Sequence, residues 1–366
     1  MTTDHNRNSK PLFGLALLIG VFLYSITLAQ AQTTTAPEKV VRLKTPIAFP
    51  SYLPALGTPI LYVAEQLELI SKGSIQMKVY EPGKLVAPFE ILDAVSSGKL
   101  NSGYSAAGYW AGQLPAAPLF SAAPFGPGVN EFLAWHYRGD GQRLYQKMYD
   151  RAGFNVKVLP CALISAESSG WFAEPIETPE QLRGLNVRYY GLSAKVLKKL
   201  GASPTLIPGG ELFGAMEKGA VDAAEYSQPA IDYRLGLHKI VKYLYFPAWH
   251  QQASILELLI NGDTWREMSA AQRATIDTVC RASVVTSLAE GEALQSKYLK
   301  KYKEEHGVVQ LYWSDEFLTL FYKTWLEVVE EEREKDEFFR EVWDNLSAFR
   351  KEYSIWKEKA FLPLEY

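Results

Sequence analysis

The chain has 366 residues, 48% hydrophobic and 22% charged, with 26 glycines and 20 prolines spread along its length. That composition excludes a disordered, collagen-like or small disulfide-framed protein, and the length allows two domains with a sizeable core in each. A formal charge of -3 offers no basic footprint and argues against nucleic acid as a partner.

His5, Arg7 and Lys10 precede an apolar run from Leu12 to Leu28, which ends in the small-x-small triplet Ala29-Gln30-Ala31. This is the pattern of a secretory signal peptide over residues 1–31; the competing reading is a retained anchor, since the run approaches the ~18 residues that a spanning helix needs. No cysteine follows it to accept a lipid, so the expected product is a soluble, exported, periplasmic protein. A polar linker follows at 33–38. Cys161 and Cys280 are far apart in the chain, and that separation leaves open whether they form a bridge or two buried thiols.

Val40 to Ile47 reads as a strand, and Thr58-Pro59 as a cap and first-turn proline opening a helix that ends near Lys72-Gly73. Ile75 to Tyr80 is the next strand. Pro88 to Ser97 follows with helical spacing of Phe89, Ile91, Leu92 and Val95, then a short segment around Gly103 to Ser105. The rhythm restarts with Val158 to Ile164, a helix near Pro179 to Leu182, a strand from Asn186 to Tyr190 and a helix from Leu192 to Leu200. Thr205 to Ile207, a helix Glu211 to Lys218 opened by Gly209-Gly210, and a strand Ala220 to Glu225 complete it. Such alternation is the α/β signature and predicts parallel strands joined by helical crossovers.

From Asp315 to Lys351 the pattern is helical and charged, with a broad aromatic stripe through Phe317, Phe321, Trp325, Phe338, Phe339, Trp343 and Phe349. The stripe suits either packing on the chain's own domains or a subunit interface.

No nucleophile elbow, H-E-x-x-H, P-loop or paired C-x-x-C occurs, and the five histidines form no short-spaced ligand pair. Ser354-Ile-Trp-Lys357 has S-x-x-K spacing of the kind chance supplies. No catalytic set stands out, and an enzyme is not expected.

The informative stretch is 165–232, with Ala166-Glu167-Ser168-Ser169-Gly170-Trp171-Phe172, Leu182-Arg183-Gly184-Leu185-Asn186-Val187-Arg188, Gly209-Gly210-Glu211 and Val221-Asp222-Ala223-Ala224-Glu225-Tyr226. Together with Tyr80-Glu-Pro-Gly83, Pro124-Phe-Gly126 and Pro247-Ala-Trp-His250, this ordered set resembles the substrate-binding proteins of tripartite ATP-independent periplasmic (TRAP) transporters, in the keto-acid, lactate and mannitol/chloroaromatic branch. The resemblance implies a two-lobed periplasmic-binding-protein-like α/β fold with crossing strands and a long C-terminal helix. Lobe I would take residues 39–160 and a return after about 250, lobe II 161–249 with later helices, and a helix over 315–351 would serve dimerisation.

By the same resemblance, Arg188 occupies the place of the arginine that clamps the ligand carboxylate, and its planar, always-charged fork suits that role. Removing it as Arg188→Ala is expected to abolish binding with little loss of folding. Glu225, Tyr226 and Gln251 stand where the family holds a metal ion, and their oxygens suit Na⁺ or Ca²⁺. Glu167, Tyr226 and Gln251 depart from a keto-acid pattern of amide, tryptophan and glutamate, so Glu167 is expected to set ligand selectivity. Tyr109 and Trp110 follow a strand that commonly supplies ligand contacts. The implied function is capture of a small organic acid, a 2-oxo or 2-hydroxy acid, for a TRAP permease, without organic cofactor. A binding protein of an ATP-driven importer and a secreted enzyme are the rival readings.

Overall fold

The computed structural model describes residues 39–360 and 362; the expected signal peptide and the linker at 33–38 lie outside them. The first half contains β1 (Val41–Pro46), α1 (Thr58–Ile70), β2 (Ile75–Tyr80), α2 (Ile91–Ser96), β3 (Ser102–Ala106), α3 (Val129–Arg138), α4 (Gly141–Arg151) and β4 (Val156–Ser165). Proline at the first turn starts α1, which buries Pro59, Ile60, Val63 and Leu67 in one stripe. β1 and β2 pair in parallel from Val41↔Ile75 to Pro46↔Tyr80, and Ile47 bridges on to Tyr104 of β3.

Next come β5 (Gly170–Phe172), β6 (Asn186–Arg188), α5 (Gly191–Lys199), β7 (Ser203–Thr205), α6 (Gly209–Glu217), β8 (Ala223–Ala224), α7 (Pro229–Leu235) and β9 (Tyr243–Phe246). The remainder is β10 (Ala253–Asn261), α8 (Gly262–Glu267), α9 (Ala270–His306), β11 (Val309–Tyr312), α10 (Asp315–Lys335) and α11 (Glu337–Ala360). The strands fall into a two-stranded sheet β1-β2, a three-stranded sheet β3-β10-β4 and a six-stranded sheet in the order β11-β9-β5-β8-β6-β7.

The all-parallel expectation is corrected by two features. β10 runs antiparallel to both β3 and β4, and β5 is antiparallel to its neighbours β8 and β9. In chain order β4 leads from the three-stranded sheet to β5 of the six-stranded one, and β10 returns to it after β9, so the two long strands point in opposite directions. Both are buried along almost their whole length.

The span 315–351, expected as one helix, is two: Asp336 adopts an extended backbone (φ -134°, ψ 114°) and separates α10 from α11. Both helices turn Phe317, Phe321, Trp325, Phe338, Phe339 and Val342 into the chain's own core. The longest helix is instead α9, opened by a reciprocal Ser269/Gln272 cap. Its Ser287 hydroxyl accepts from Leu163 N at 2.9 Å, and Cys280 is disulfide-bonded to Cys161, so α9 is tied to β4. Among the described residues no helix is long and apolar enough to cross a membrane.

Candidate functional site

β6 lies between β7 and β8, parallel to both, and ends on Arg188. The carboxyl ends of these strands open on one side, where polar groups of α/β sheets converge. Period-two alternation sends Val187 and Arg188 to opposite faces, and both are buried.

Arg188 is 2% exposed, an expensive place for a charge unless it is paired. Its Nε donates to Ile207 O (3.2 Å), and Nη1 donates to Glu225 O (2.5 Å) and Glu225 Oε2 (3.0 Å). The guanidinium carbon lies 5.1 Å from the Tyr226 ring centroid. Burial pulls the Arg188 pKa down, but the Glu225 carboxylate and neighbouring groups carry it above its ordinary value, so the group stays charged. Nη2 is the prong without a hydrogen bond among the described residues. Tyr226 fits over the fork because position 209 is glycine: a Cβ there would collide with the Tyr226 ring.

Glu225 follows β8 directly. Besides Arg188, its Oε1 accepts from Tyr190 N at 2.6 Å. Glu167 lies in the loop between β4 and β5, with Oε1 accepting from Ser227 Oγ at 2.7 Å. Burial pushes its carboxyl pKa above the ordinary range, against the opposing pull of His250 and Ser227. Ser227 is itself held by Asp232, which accepts from Ser227 N (3.1 Å), Trp171 Nε1 (2.8 Å) and Ser168 Oγ (3.2 Å).

Glu167, Arg188, Tyr109, Tyr226 and Gln251 all line one cavity, together with Phe49, Tyr190, Ser227, Ser254 and apolar residues. Water-sized molecules fit into about 30 Å³ of it, room for about two waters. Tyr109 meets Phe49 and Tyr190 at centroid distances of 5.6 and 5.7 Å, so an aromatic wall faces the polar side.

Two expected site residues are placed differently. Trp110 does not line the cavity; its indole donates to Glu257 Oε1 at 2.7 Å inside the core, because the short helix 107–110 turns successive side chains apart. Glu225, expected as an ion ligand, is in the first place the counter-ion of Arg188 and stands behind the cavity lining. This pairing argues against the expectation that Arg188→Ala costs little folding, since truncation would strand a buried carboxylate.

His250 is the functional candidate that the sequence reading passed over. It is 1% exposed and neither ring nitrogen has a hydrogen bond; Nε2 lies 3.5 Å from Glu167 Oε2. One donor atom each from Glu167, Glu225 and His250 fall within 4.8 Å of one another. The available signal was its place beside Gln251 in Pro247-Ala-Trp-His250, which histidine spacing alone could not pick out.

The model for bacterial extracellular solute-binding protein, family 7 (DctP), matches residues 55–336. A monocarboxylate 2-oxoacid-binding periplasmic protein of Nostoc sp. is 30% identical over 345 residues, 94% of this chain and 93% of the relative. Among solved structures, a TRAP periplasmic solute-binding protein from Colwellia psychrerythraea with bound calcium and pyruvate is 27% identical, with a TM-score of 0.84 over 88% of this chain and 98% of that one. One from Pseudoalteromonas atlantica with bound sodium and pyruvate is 26% identical, with a TM-score of 0.84 over 88% and 97%. The chain therefore belongs to the family 7 extracellular solute-binding proteins, the binding components of TRAP transporters, and the ATP-driven importer finds no support.

Proposed function

We propose that this protein is exported to the periplasm after loss of residues 1–31, captures a small 2-oxo or 2-hydroxy monocarboxylate, and delivers it to a TRAP-type permease. The observation that carries the reading is the buried Arg188 guanidinium, held by three hydrogen bonds through Nε and Nη1, with Nη2 left for a ligand in the cavity that Arg188 lines. One carboxylate oxygen on that prong gains a charge-assisted hydrogen bond without reorganisation of the arginine. Glu167, Ser227 and Gln251 would then read the oxygen at C2, and Phe49, Tyr109 and Tyr190 the short carbon tail. The cyanobacterial relative's 2-oxoacid and the pyruvate of the two solved neighbours support this class of ligand.

Those two neighbours bind sodium or calcium as well as pyruvate, and the residues here fit a hard cation: buried carboxylate oxygens from Glu167 and Glu225, with Gln251 on the cavity wall. Such an ion would supply positive charge that offsets the ligand carboxylate. Binding without turnover is expected, so incubation with the acid should return it unchanged. A homodimer through α10 and α11 is part of the reading, motivated by Leu326, Ile355 and Trp356, which stay 43%, 61% and 61% exposed; a monomer mass in light scattering would end it.

The test of ligand class is a thermal-shift and calorimetric screen of pyruvate, 2-oxobutyrate, lactate and glucuronate in the presence of calcium. Pyruvate-sized acids should stabilise the fold by about 2.7 kcal/mol at a hundredfold excess over Kd, with glucuronate silent. No shift with any monocarboxylate would overturn the reading.

A further inference from the structure

We infer that Tyr190 sets the length of acid this protein accepts: its ring, seated in a notch between Gly108 and Ser121, walls the cavity that Arg188 lines and restricts the ligand to acids the size of pyruvate and 2-oxobutyrate. The inference rests on the carboxylate-capture reading above and deepens it by naming the wall that excludes longer tails.

The first ground is spacing from the clamp. Tyr190 follows Arg188 by two positions and keeps extended backbone (φ -102°, ψ 145°), which sends both side chains to one face, and both line the cavity. Tyr189 between them turns away and donates its hydroxyl to Ser169 O. Tyr190 N donates to Glu225 Oε1 at 2.6 Å, while Oε2 of the same carboxylate accepts from Arg188 Nη1 at 3.0 Å. One carboxylate therefore fixes both the guanidinium that would hold the acid head and the backbone that carries the ring, so the reach from head to wall is built in. Ser193 Oγ donates to Tyr190 O at 2.6 Å and holds that backbone from the other side.

The second ground is the notch. The Tyr190 hydroxyl donates to Ser121 Oγ at 3.0 Å in the interior. Position 108 is glycine, and a Cβ there would overlap the hydroxyl end of the ring and lie 2.8 Å from Ser121 Oγ. The phenol thus occupies space that any side chain at 108 would take. Neither Gly108 nor Ser121 lines the cavity; they are positioning residues that act through Tyr190. They come from the segments 107–110 and 117–121, whereas the ring comes from the junction of β6 and α5, so it is held at both ends and has no free rotamer into which to swing.

The third ground is that the adjoining rings give no way round. Tyr109 packs edge-on between Phe89 and Tyr190, with centroids at 5.0 and 5.7 Å. Phe49 lies edge-on to Tyr104 at 6.3 Å, and the Tyr104 hydroxyl is itself bound to Leu56 O at 3.1 Å. A wall packed this closely resists an extra methylene. Removing the Tyr190 ring would join the notch to the cavity, and each ligand methylene seated there should gain about fourfold in affinity.

The test is calorimetric titration of the purified exported protein, with calcium present, against pyruvate, 2-oxobutyrate, 2-oxovalerate and 2-oxohexanoate. The wild-type chain should bind 2-oxohexanoate at least about tenfold more weakly than pyruvate. Tyr190→Ala should reverse that order by about tenfold, with Tyr190→Leu serving if the alanine variant fails to fold by circular dichroism. Gly108→Ala should drive the ring into the cavity and weaken pyruvate at least about tenfold, and combining it with Tyr190→Ala should restore the length profile of Tyr190→Ala alone. That rescue separates positioning from a general distortion of the fold. Equal wild-type affinity for pyruvate and 2-oxohexanoate, a length order untouched by both Tyr190 variants, or a Gly108→Ala loss that persists in the double variant overturns the inference. Failure of the wild-type chain and every variant to bind any of the four acids overturns the carboxylate-capture reading instead.

Discussion

Two buried acidic centres lie in this molecule, and they are built on opposite principles. Glu257, on β10, is 0% exposed and accepts from Trp110 Nε1 at 2.7 Å, from Tyr149 Oη at 2.8 Å and from Tyr145 Oη. Its cage is complete, made of neutral donors, and walled by rings such as Phe120 stacked on Tyr145 at 4.6 Å. At the cavity, by contrast, Glu167 and Glu225 lie close enough to Arg188 to raise its pKa, while Tyr226 Oη and both His250 nitrogens have no hydrogen-bond partner. A buried polar group without a partner is costly, so a closed cage is a structural device and an open one is a place kept for a ligand. Burial raises the pKa of both Glu257 and Glu167, so a perturbed carboxyl alone does not separate the two kinds of centre. The donors to the carboxyl do: Trp110, Tyr145 and Tyr149 close on Glu257, whereas among the described residues Glu167 accepts a hydrogen bond only from Ser227.

Arg188→Ala should give the largest effect. Besides losing more than about 100-fold in affinity for a small acid, it should cost about 3–5 kcal/mol of stability through the stranded Glu225. Arg188→Met with Glu225→Gln should recover most of that stability in urea denaturation and none of the affinity. A stable Arg188→Ala single variant would break the comparison on the side of the open site.

Glu257→Leu comes second. It leaves three buried donors without an acceptor and should cost about 4 kcal/mol, with Glu257→Gln intermediate because one carbonyl oxygen remains. Acid affinity should move by less than about threefold, since the cage and the cavity share no group. A binding loss as large as the stability loss would show the closed cage to be part of the site.

The smallest effect is one of pH. His136 packs edge-on against Tyr145 of the closed cage at 5.9 Å and is 0% exposed. Burial, helped by the Arg281 charge, lowers its pKa from 6.5 to about 3. The unfolded chain therefore takes up this proton at a higher pH than the folded one. The stability His136 contributes is fully present above pH 6.5 and is lost as pH falls toward about 3, amounting to about 2 kcal/mol at pH 5. His136→Phe should flatten the loss between pH 7 and pH 5 by that amount in chemical denaturation. An unchanged slope would remove His136 as its source. The carboxyl of Glu257 acts with the opposite sign, because a raised acid favours the folded state as pH falls, and it is common to both proteins in this test.

Most of the early elements were legible because each turns one apolar stripe inward, as in α1 with Ile60, Val63 and Leu67. α9 was not, although it has 37 residues: its buried face includes Gln272, Ser283, Ser287 and Gly291 beside a few large apolar groups, a surface that suits close packing on β4 but leaves no hydrophobic period to read. The break at Asp336 was equally silent, since helical spacing runs through it on both sides. In the site, Arg188, Glu167, Tyr109, Tyr226 and Gln251 were named from motif position and all line the cavity. Tyr109 and Trp110 were named together because both follow a strand that commonly supplies ligand contacts, and only Tyr109 lines the cavity, because neighbouring residues of a tight helix face different ways.

By itself the sequence determined the α/β character, the motif family and the chemistry present at each position, because periodicity and residue type are local properties. Tertiary structure decided that Cys161 meets Cys280 across 119 residues, that Glu225 balances Arg188 before it serves any ion, and that His250, rather than any of the other histidines, comes to rest beside two carboxylates. Those outcomes depend on which strand ends converge, and a pairing between atoms distant along the chain exists only after the long strands β4 and β10 have crossed and brought them within bonding range.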